Sequence, residues 1–322
     1  MLKGDVPPPV GIGRLQGIRD LSLPDEGQVL ETCDRLLDLH AWSPGHIDPR
    51  GWLGNFDAKD RPLAVILLSR FTFLADHLTD QLFGAAFQNM SNLLTREWET
   101  YDAARERWGA FCDSAIVTVV EGERPSNAQS GNIFVRKARQ RLGIRSDQLQ
   151  SPAEAILLLE DGFTGPVILV DDFVGSGEQF LLNWRRRHDL GGGRCGSLAE
   201  RFQARPAEFI YCNAMTTEYG CLRLSLEVPG VRVSTGNIIP AAHSLVRSDS
   251  PLWPASSGED GVRFLKRIGY ALGYDQEDGG ERDWRGFHRL GLSVAFEHGT
   301  PDANLPIFFA EEAGWTPLVR KS

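Results

Sequence analysis

The chain has 322 residues, of which 42% are hydrophobic and 24% charged, as in an ordinary folded globular protein. This composition excludes wholesale disorder, collagen-like repeats and a small disulfide-stapled scaffold. Because 34 basic residues face 43 acidic ones, the net charge is −9, and the chain lacks the broad positive field of a typical nucleic-acid binder. A small anionic ligand stays compatible with this charge, because backbone amides and helix N-termini bind phosphate at any net charge.

Compartment signals are few. The sequence contains no run of about 18 apolar residues, so we expect no membrane helix, and its first residues lack the apolar core of a signal peptide. The five cysteines form an odd set without paired spacing, which is typical of reduced thiols in a chain this long. We therefore predict a cytoplasmic protein.

The first third of the chain carries helical patterns. After a proline-rich start, apolar residues recur at helical spacing over 28–39, 63–74 and 78–94, and we predict an all-helical section over residues 25–110. No catalytic spacing stands out there. The section is interpreted as a packing or partner-docking cap.

The pattern changes near residue 114. Short β-branched runs alternate from here with helical stretches, and strands are predicted over residues 115–120, 166–170, 208–215 and 231–233. Such alternation predicts an α/β fold with a parallel sheet and covering helices. A further helix to Leu272 and a strand-like run over 292–296 follow. We therefore divide the chain into a helical N-terminal section (1–110), an α/β core (111–245) and a C-terminal helix-and-strand extension (246–322).

The stretch that carries chemistry is VILVDDFVGSGEQF, residues 167–180. A buried strand is predicted to end at two carboxylates, and a small-residue loop then opens a helix. Ligands of α/β sheets lie outside the carboxyl ends of the strands, and glycines let backbone N–H groups close around a phosphate. Carboxylates at that edge accept hydrogen bonds from vicinal hydroxyls or hold Mg²⁺. Together these parts predict a site for a ribose 5-phosphate.

Three other interpretations were weighed for this stretch. A Walker-type acidic strand would need a GxxxxGK[ST] loop, which the sequence does not contain. A dinucleotide fingerprint needs a third glycine, and Phe180 stands there. The plainest alternative is a capped turn that uses glycine for backbone reasons alone. The coincidence of strand, acids, glycines and helix start at one place favours the phosphate site.

The same residues resemble the phosphoribosyl-pyrophosphate signature of type I phosphoribosyltransferases. The resemblance implies that the catalytic acids contacting the ribose hydroxyls, and holding Mg²⁺, are Asp171 and Asp172. It implies that the 5-phosphate is bound by the loop residues Gly175, Ser176, Gly177, Glu178 and Gln179. It also implies that residues 121–132 form a pyrophosphate loop, with the ligand beside Glu121, Ser130 and Gly131. Arg136 joins this candidate set because its predicted helix begins near the turn.

A narrower resemblance covers more of the chain. The residues WL at 52–53 and NF at 55–56, the SGN turn and the tail HGTPDANLP look like phosphoribosyltransferase-like effectors of prokaryotic conflict systems. This resemblance implies a role in anti-phage defence with a protein or nucleoprotein partner, and it brings His298 to the ligand. The alternative for His298 is a plain turn stabilised by Asp302 and Asn304, since such residues are ordinary in turns.

Two departures from the family pattern bear on activity. Gly175 stands where purine-salvage members hold an acidic general base, and Gln179 replaces the final threonine. Three hypotheses stay open: an Mg²⁺-dependent enzyme acting at the anomeric carbon of a ribosyl phosphate, a non-catalytic nucleotide sensor, and a scaffold subunit of a defence complex. The arginine clusters at 136–141 and 185–187 have two possible interpretations. They are either solvated helix faces or contacts to an anion or a partner.

Overall fold

A computed structural model describes residues 23–94, 99–122, 130–204 and 207–320. The chain begins with α1 (Glu26–Asp38), α2 (Pro49–Leu53), α3 (Arg61–Arg70), β1 (Thr72–Leu74), α4 (Asp76–Leu94) and α5 (Tyr101–Ser114). The middle comprises β2 (Ile116–Val119), α6 (Ser130–Leu142), α7 (Pro152–Glu160), β3 (Val167–Val174), α8 (Glu178–Arg185), β4 (His188–Asp189), β5 (Cys195–Gly196), α9 (Leu198–Ala204), β6 (Phe209–Thr217), α10 (Glu218–Glu227) and β7 (Val231–Ile239). The last part holds α11 (Gly258–Ala271) and β8 (Val294–Phe296).

A four-stranded sheet in the order β2-β3-β6-β7 lies at the centre, and all its neighbouring strands are parallel. Side chains of α4, α5 and α6 pack on one face, including Phe83 and Phe134. Side chains of α7 to α10 pack on the other, including Phe180 and Trp184. Burial on both faces explains why β2, β3 and β6 read as apolar runs rather than as alternating patterns. The predicted α/β fold class with a parallel-sheet core is confirmed.

The N-terminal helices and the C-terminal extension share one hydrophobic cluster. It combines residues of α1 to β1 with residues of α11, β8 and the last turns. The indole Nε1 of Trp52 donates to the carbonyl of Ile307 at 2.7 Å, and its ring stacks on Phe308 at 5.8 Å. These two parts of the chain therefore fold against each other. The division at residues 110 and 245 stays a prediction.

Three predicted elements need correction. The strand predicted over 231–233 runs from Val231 to Ile239, because β6 pairs with it as far as Thr217. The helix predicted over 63–74 ends at Arg70, and Thr72–Leu74 form β1, so the section 25–110 is not all helical. The partner of β1 is the distant strand β8, which no local pattern can reveal. The strand predicted to end at residue 170 continues to Val174, because β6 offers it partners as far as Thr216. Both acids of the signature therefore lie inside β3.

In the described part of the chain, no helix is long and apolar enough to cross a membrane. All five cysteines are free.

Candidate functional site

The candidate site lies at the carboxyl edge of the sheet, where β3 passes into α8. Gly177 stands immediately before α8 with φ +77°, a left-handed conformation that glycine adopts without steric cost. Thr217 caps the neighbouring helix α10 and donates its hydroxyl to the carbonyl of Gly175. The beginnings of α8 and α10 therefore meet at the loop of residues 175–177.

The loop presents unused backbone donors. Among the described residues, the amides of Ser176, Gly177 and Gln179 make no hydrogen bond to a protein acceptor. The amide of Glu178 donates to the hydroxyl of Ser176 at 3.3 Å. Such N–H groups at the start of a helix are suited to an anionic group. These amides are among the donors that the sequence assigns to a phosphate, and that assignment stays a prediction.

The first acid, Asp171, is buried. Its Oδ2 accepts from the hydroxyl of Tyr211 at 2.8 Å, and its Oδ1 accepts from the amide of Asp172 at 3.0 Å. Burial and then the charge of Asp172 raise the pKa of Asp171 well above its usual range. Asp171 is therefore an interior carboxyl group that Tyr211 anchors.

The second acid, Asp172, meets a histidine of the extension. Its Oδ2 lies 2.7 Å from Nε2 of His298, and its Oδ1 accepts from the amide of Phe173 at 2.8 Å. Burial raises the pKa of Asp172, but the hydrogen bond and charge of His298 outweigh it and leave the pKa lowered. Burial also shifts the pKa of His298, in this case downward. The hydrogen bond and charge of Asp172 outweigh the effect of burial, so the pKa of His298 is raised. The two side chains therefore form an ion pair.

Neighbouring groups fix the imidazole of His298. Its Nδ1 lies 3.4 Å from a carboxylate oxygen of Asp76, and its ring stacks on Phe296 with centroids 5.4 Å apart. The turn reading also has support, because Asn304 accepts from the amide of Val294 at 2.8 Å. The histidine thus stands on a stabilised turn and contacts Asp172 at the same time.

A second cluster lies at the other end of the signature. Oε2 of Glu178 accepts from Nη1 of Arg223 at 2.8 Å and lies 3.0 Å from Nε2 of His288. Nη1 of Arg223 also donates to the carbonyl of Ser176 at 3.3 Å. The hydrogen bond from Arg223 is the largest cause that lowers the pKa of Glu178.

The extension also packs on the loop between these two clusters. A Cβ atom built on Gly175 would lie 3.5 Å from Ala303 and 3.6 Å from Leu290. Residues from the last part of the chain therefore line the carboxyl edge of β3. They are His288, Leu290, His298 and Ala303.

The predicted pyrophosphate loop is described only at its ends. Residues 123–129 lie outside the described residues, as does the side chain of Ser130, and Gly131 follows it in the first turn of α6. Glu121 pairs with Arg186 at 3.2 Å, and Arg136 is exposed on α6. The described contacts join neither Glu121 nor Arg136 to Asp172 or to the loop. Arg185 and Arg187 pair with Glu227 and Glu200.

Sequence reasoning did not identify three residues that contact the signature, namely Tyr211, Arg223 and His288. Tyr211 reaches Asp171 only through the register of β3 with β6. Arg223 and His288 come from a later helix and from the extension. Their residue types carry no distinctive spacing, so only the fold brings them to the loop.

A parallel α/β sheet with an acid pair and a glycine loop at its carboxyl edge defines a phosphoribosyltransferase-like protein. A family model with the description PRTase-CE matches residues 49–321, most of the chain. The chain therefore belongs to this family of phosphoribosyltransferase-like domains. In the comparisons with curated proteins and with solved structures, nothing matches.

Proposed function

We propose that the chain binds a phosphoribosyl ligand, either phosphoribosyl pyrophosphate or a nucleotide, at the carboxyl edge of β3. The observation that carries the proposal is the set of free loop amides at Ser176, Gly177 and Gln179, close to the carboxylate of Asp172 in the chain. Amides suit the 5-phosphate, and a carboxylate suits ribose hydroxyls. Membership of the family supports this assignment.

In the proposed enzyme, chemistry takes place at the anomeric carbon. Asp172, held by His298 at 2.7 Å, faces the ribose while positive charge develops there, and Asp171 supports it from the interior. Electrostatic stabilisation and positioning supply most of the rate in such a site, so the glycine at position 175 does not by itself abolish activity.

Magnesium enters the proposal together with the ligand. Each carboxylate oxygen of Asp171 and Asp172 already has a partner, and the described residues contain no group of three or more His, Cys, Asp or Glu that could hold a metal. Mg²⁺ commonly combines one or two carboxylates with waters and substrate phosphates. With the ligand's own oxygens as further partners, Asp171 and Asp172 would be the residues that hold an Mg²⁺ ion, and the ion would supply positive charge that neutralises a pyrophosphate group.

The biological role proposed with this activity is that of an effector in anti-phage defence with a protein or nucleoprotein partner. It rests on the resemblance of the tail and helical front to conflict-system proteins. A non-catalytic nucleotide sensor or scaffold subunit is the second candidate. The burial of Asp171 and the contacts of Leu290 and Ala303 at Gly175 favour it, because they leave less of the edge open to a second substrate.

Calorimetric titration with phosphoribosyl pyrophosphate, with and without Mg²⁺, tests the proposal. We expect binding by the wild type and at least about tenfold weaker binding by Asp172→Asn, since charged hydrogen bonds are strong. Asp113→Asn is the matched control, because Asp113 is an exposed carboxylate before β2, at the opposite edge of the sheet. Incubation with nucleotide pools, followed by chromatography, separates the enzyme from the sensor.

Three outcomes decide between the candidates. Binding with turnover supports the enzyme, and binding without turnover leaves the sensor. If neither phosphoribosyl pyrophosphate nor any nucleotide binds, or if Asp113→Asn weakens binding as much as Asp172→Asn does, the proposed ligand site is wrong.

A further inference from the structure

A chain of alternating charges runs from the second acid of the signature to helix α6. Nε2 of His298 lies 2.7 Å from Asp172, and Nδ1 of the same ring lies 3.4 Å from Oδ1 of Asp76. That oxygen of Asp76 lies 3.6 Å from Nζ of Lys137, and Nζ also lies 2.6 Å from Asp80. The contacts therefore join β3, the extension, α4 and α6 in one line.

The spacing on the two helices explains why these charges meet. Asp76 and Asp80 stand four residues apart on α4, and Lys137 and Arg141 stand four residues apart on α6, so each pair lies on one face of its helix. Among the described ion pairs, Arg141 meets Asp80 at 3.3 Å and does not reach Asp76. Lys137 is the cation of α6 that meets both carboxylates.

Most of this chain of charges is shielded from water. The side chain of Lys137 keeps 11% of its surface exposed, that of His298 8% and that of Asp172 16%. Nζ of Lys137 lies 5.1 Å from the centre of the Phe134 ring, and the same ring meets the imidazole edge-on at 5.8 Å. Buried ion pairs of this kind restrain their side chains, because a charge left without its partner is costly.

Asp76 is itself held at the start of α4. Its amide donates to Oε2 of Glu297 at 2.8 Å, and Glu297 is the neighbour of His298 in the chain. A carboxylate in the first turn of a helix is also favoured by the helix dipole. The start of α4 and the extension are thus tied together at the place where the imidazole lies between two carboxylates.

We propose that Asp76 and Lys137 are positioning residues of the site, which act on Asp172 through the histidine. They orient the imidazole of His298, and the imidazole holds the carboxylate that faces the ligand, so this inference rests on the proposed function. Both ring nitrogens of a protonated histidine donate hydrogen bonds, and a carboxylate beside each of them fixes the plane of the ring. Lys137 restrains Asp76, and Asp80 in turn restrains Lys137.

Calorimetric titration of the full chain with phosphoribosyl pyrophosphate tests this assignment. We expect severalfold weaker binding by Asp76→Asn and by Lys137→Met, because either change loosens the imidazole. The two changes alter the net charge in opposite directions, so a general electrostatic effect on an anionic ligand would move the two affinities apart. Lys137→Arg restores a cation that can meet both carboxylates and should bind like the wild type.

Arg141→Gln is the matched control for Lys137→Met. Arg141 pairs with the same Asp80 from the next turn of α6, so its loss removes an equal charge without a contact to Asp76. We expect wild-type binding. Combination with Asp172→Asn then separates positioning from a plain structural role. If Lys137 acts through Asp172, Lys137→Met should weaken binding little further in a chain that already carries Asp172→Asn, because coupled residues are not additive.

The imidazole of His298 gives a second readout that needs no ligand. In chains with ¹³C-labelled histidine, its Cε1–H resonance is identified by its loss in His298→Gln. This resonance should shift in Asp76→Asn and Lys137→Met and stay in place in Arg141→Gln. Thermal unfolding of every variant checks that the chain is folded. Because Asp76 is 55% exposed, Asp76→Asn carries the test if Lys137→Met unfolds the chain.

The outcomes separate this inference from the function on which it rests. If phosphoribosyl pyrophosphate binds and Asp172→Asn weakens it, but Asp76→Asn and Lys137→Met bind like Arg141→Gln, only the present inference is overturned. It is overturned as well if the losses from Lys137→Met and Asp172→Asn add in full, or if the His298 resonance stays in place in both variants. If neither phosphoribosyl pyrophosphate nor any nucleotide binds to the wild type, the proposed function falls, and the positioning role falls with it.

Discussion

At the scale of single residues, the two adjacent acids should respond very differently to neutralisation. Asp171→Asn should lower the free energy of unfolding by only about 1 kcal/mol, because burial and the charge of Asp172 raise the pKa of Asp171 and disfavour its charged form, a cost that a neutral amide avoids. Asp172→Asn should cost about 2–3 kcal/mol, because it removes the carboxylate that pairs with His298. Urea unfolding of both variants at neutral pH measures the difference. A larger loss for Asp171→Asn would contradict the assignment of the ion pair.

The contrast between these acids could not be predicted from their sequence. The motif indicates two carboxylates at a strand end, and both are in fact inside β3. Successive residues of a strand point to opposite faces, so Asp171 reaches Tyr211 while Asp172 reaches His298. One face of β3 is covered by a side chain of β6, and the other meets a histidine of the extension. Both elements lie outside the motif, so the motif cannot indicate which acid faces which.

At the scale of elements, the close approach of α10 to the loop gives a second prediction. A Cβ atom on Gly220 would lie 2.5 Å from the carbonyl oxygen of Gly175. Gly220→Ala must therefore push α10 or the loop aside, and we expect a loss of about 1–3 kcal/mol in unfolding free energy, with weaker binding of phosphoribosyl pyrophosphate. Urea unfolding and calorimetry measure the two effects.

Gly109→Ala in α5 is the matched control for this substitution. Nothing lies within 4 Å of a Cβ atom at Gly109, so alanine should stabilise the helix by roughly 0.5–1 kcal/mol through its higher helix propensity. Equal effects of the two substitutions would show that the loop and α10 are not in steric contact.

Elements with local signals were predicted well, and elements with distant partners were not. The S-x-x-E spacing of Ser151 and Glu154 indicates a capping box, and both of its reciprocal hydrogen bonds are present at the start of α7. A cap requires only neighbours in sequence. The strand β1 requires β8, and the register that lengthens β3 requires β6. For that reason the helix predicted over 63–74 extends four residues beyond Arg70, where α3 ends.

The turn that precedes His288 in the extension contains a buried acid with a predictable pH dependence. The carboxylate of Asp283 accepts two hydrogen bonds from the guanidinium of Arg285 at 2.8 Å and one from the amide of Gly279 at 2.7 Å. Burial raises the pKa of Asp283, and these donors outweigh it and leave the pKa lowered. Its contribution to stability is therefore complete above the ordinary pKa of about 4 and is lost as the pH falls through the lowered value.

Asp283→Asn should thus lower the free energy of unfolding by about 2–4 kcal/mol at pH about 7, and the difference from wild type should shrink as the pH falls below about 4. Asp275→Asn replaces an exposed carboxylate a few residues earlier and should leave the free energy of unfolding at pH about 7 nearly unchanged. Thermal unfolding across this pH range measures both variants. A difference that grows toward acid pH would contradict the sign of the shift.

At the scale of the whole molecule, the extension serves the site and the core together. It brings His298 to Asp172 and His288 to Glu178, and its apolar residues complete the cluster formed by α1, α2 and α3. The sequence indicated a separate helical front, because helical patterns give way near residue 114 to alternating strands and helices, and it indicated a tail with one further helix and a strand-like run. It could not indicate that the two ends of the chain pack together, since such contacts leave no periodicity.

This shared core predicts that the chain without residues 246–322 does not fold as the full chain does. The deletion would remove Ile307 and Phe308 from Trp52, which is fully buried in the intact chain, and apolar surface exposed in this way costs about 25 cal/mol per Å². We expect the shortened chain to lose the cooperative thermal transition and to lose amide protection in α2 and α3, as measured by circular dichroism and hydrogen exchange. Addition of residues 246–322 as a separate peptide should restore part of both. A shortened chain that unfolds in one sharp transition, with α3 still protected, would mean that the N-terminal helices form a core of their own and that the extension is a separate addition to the site.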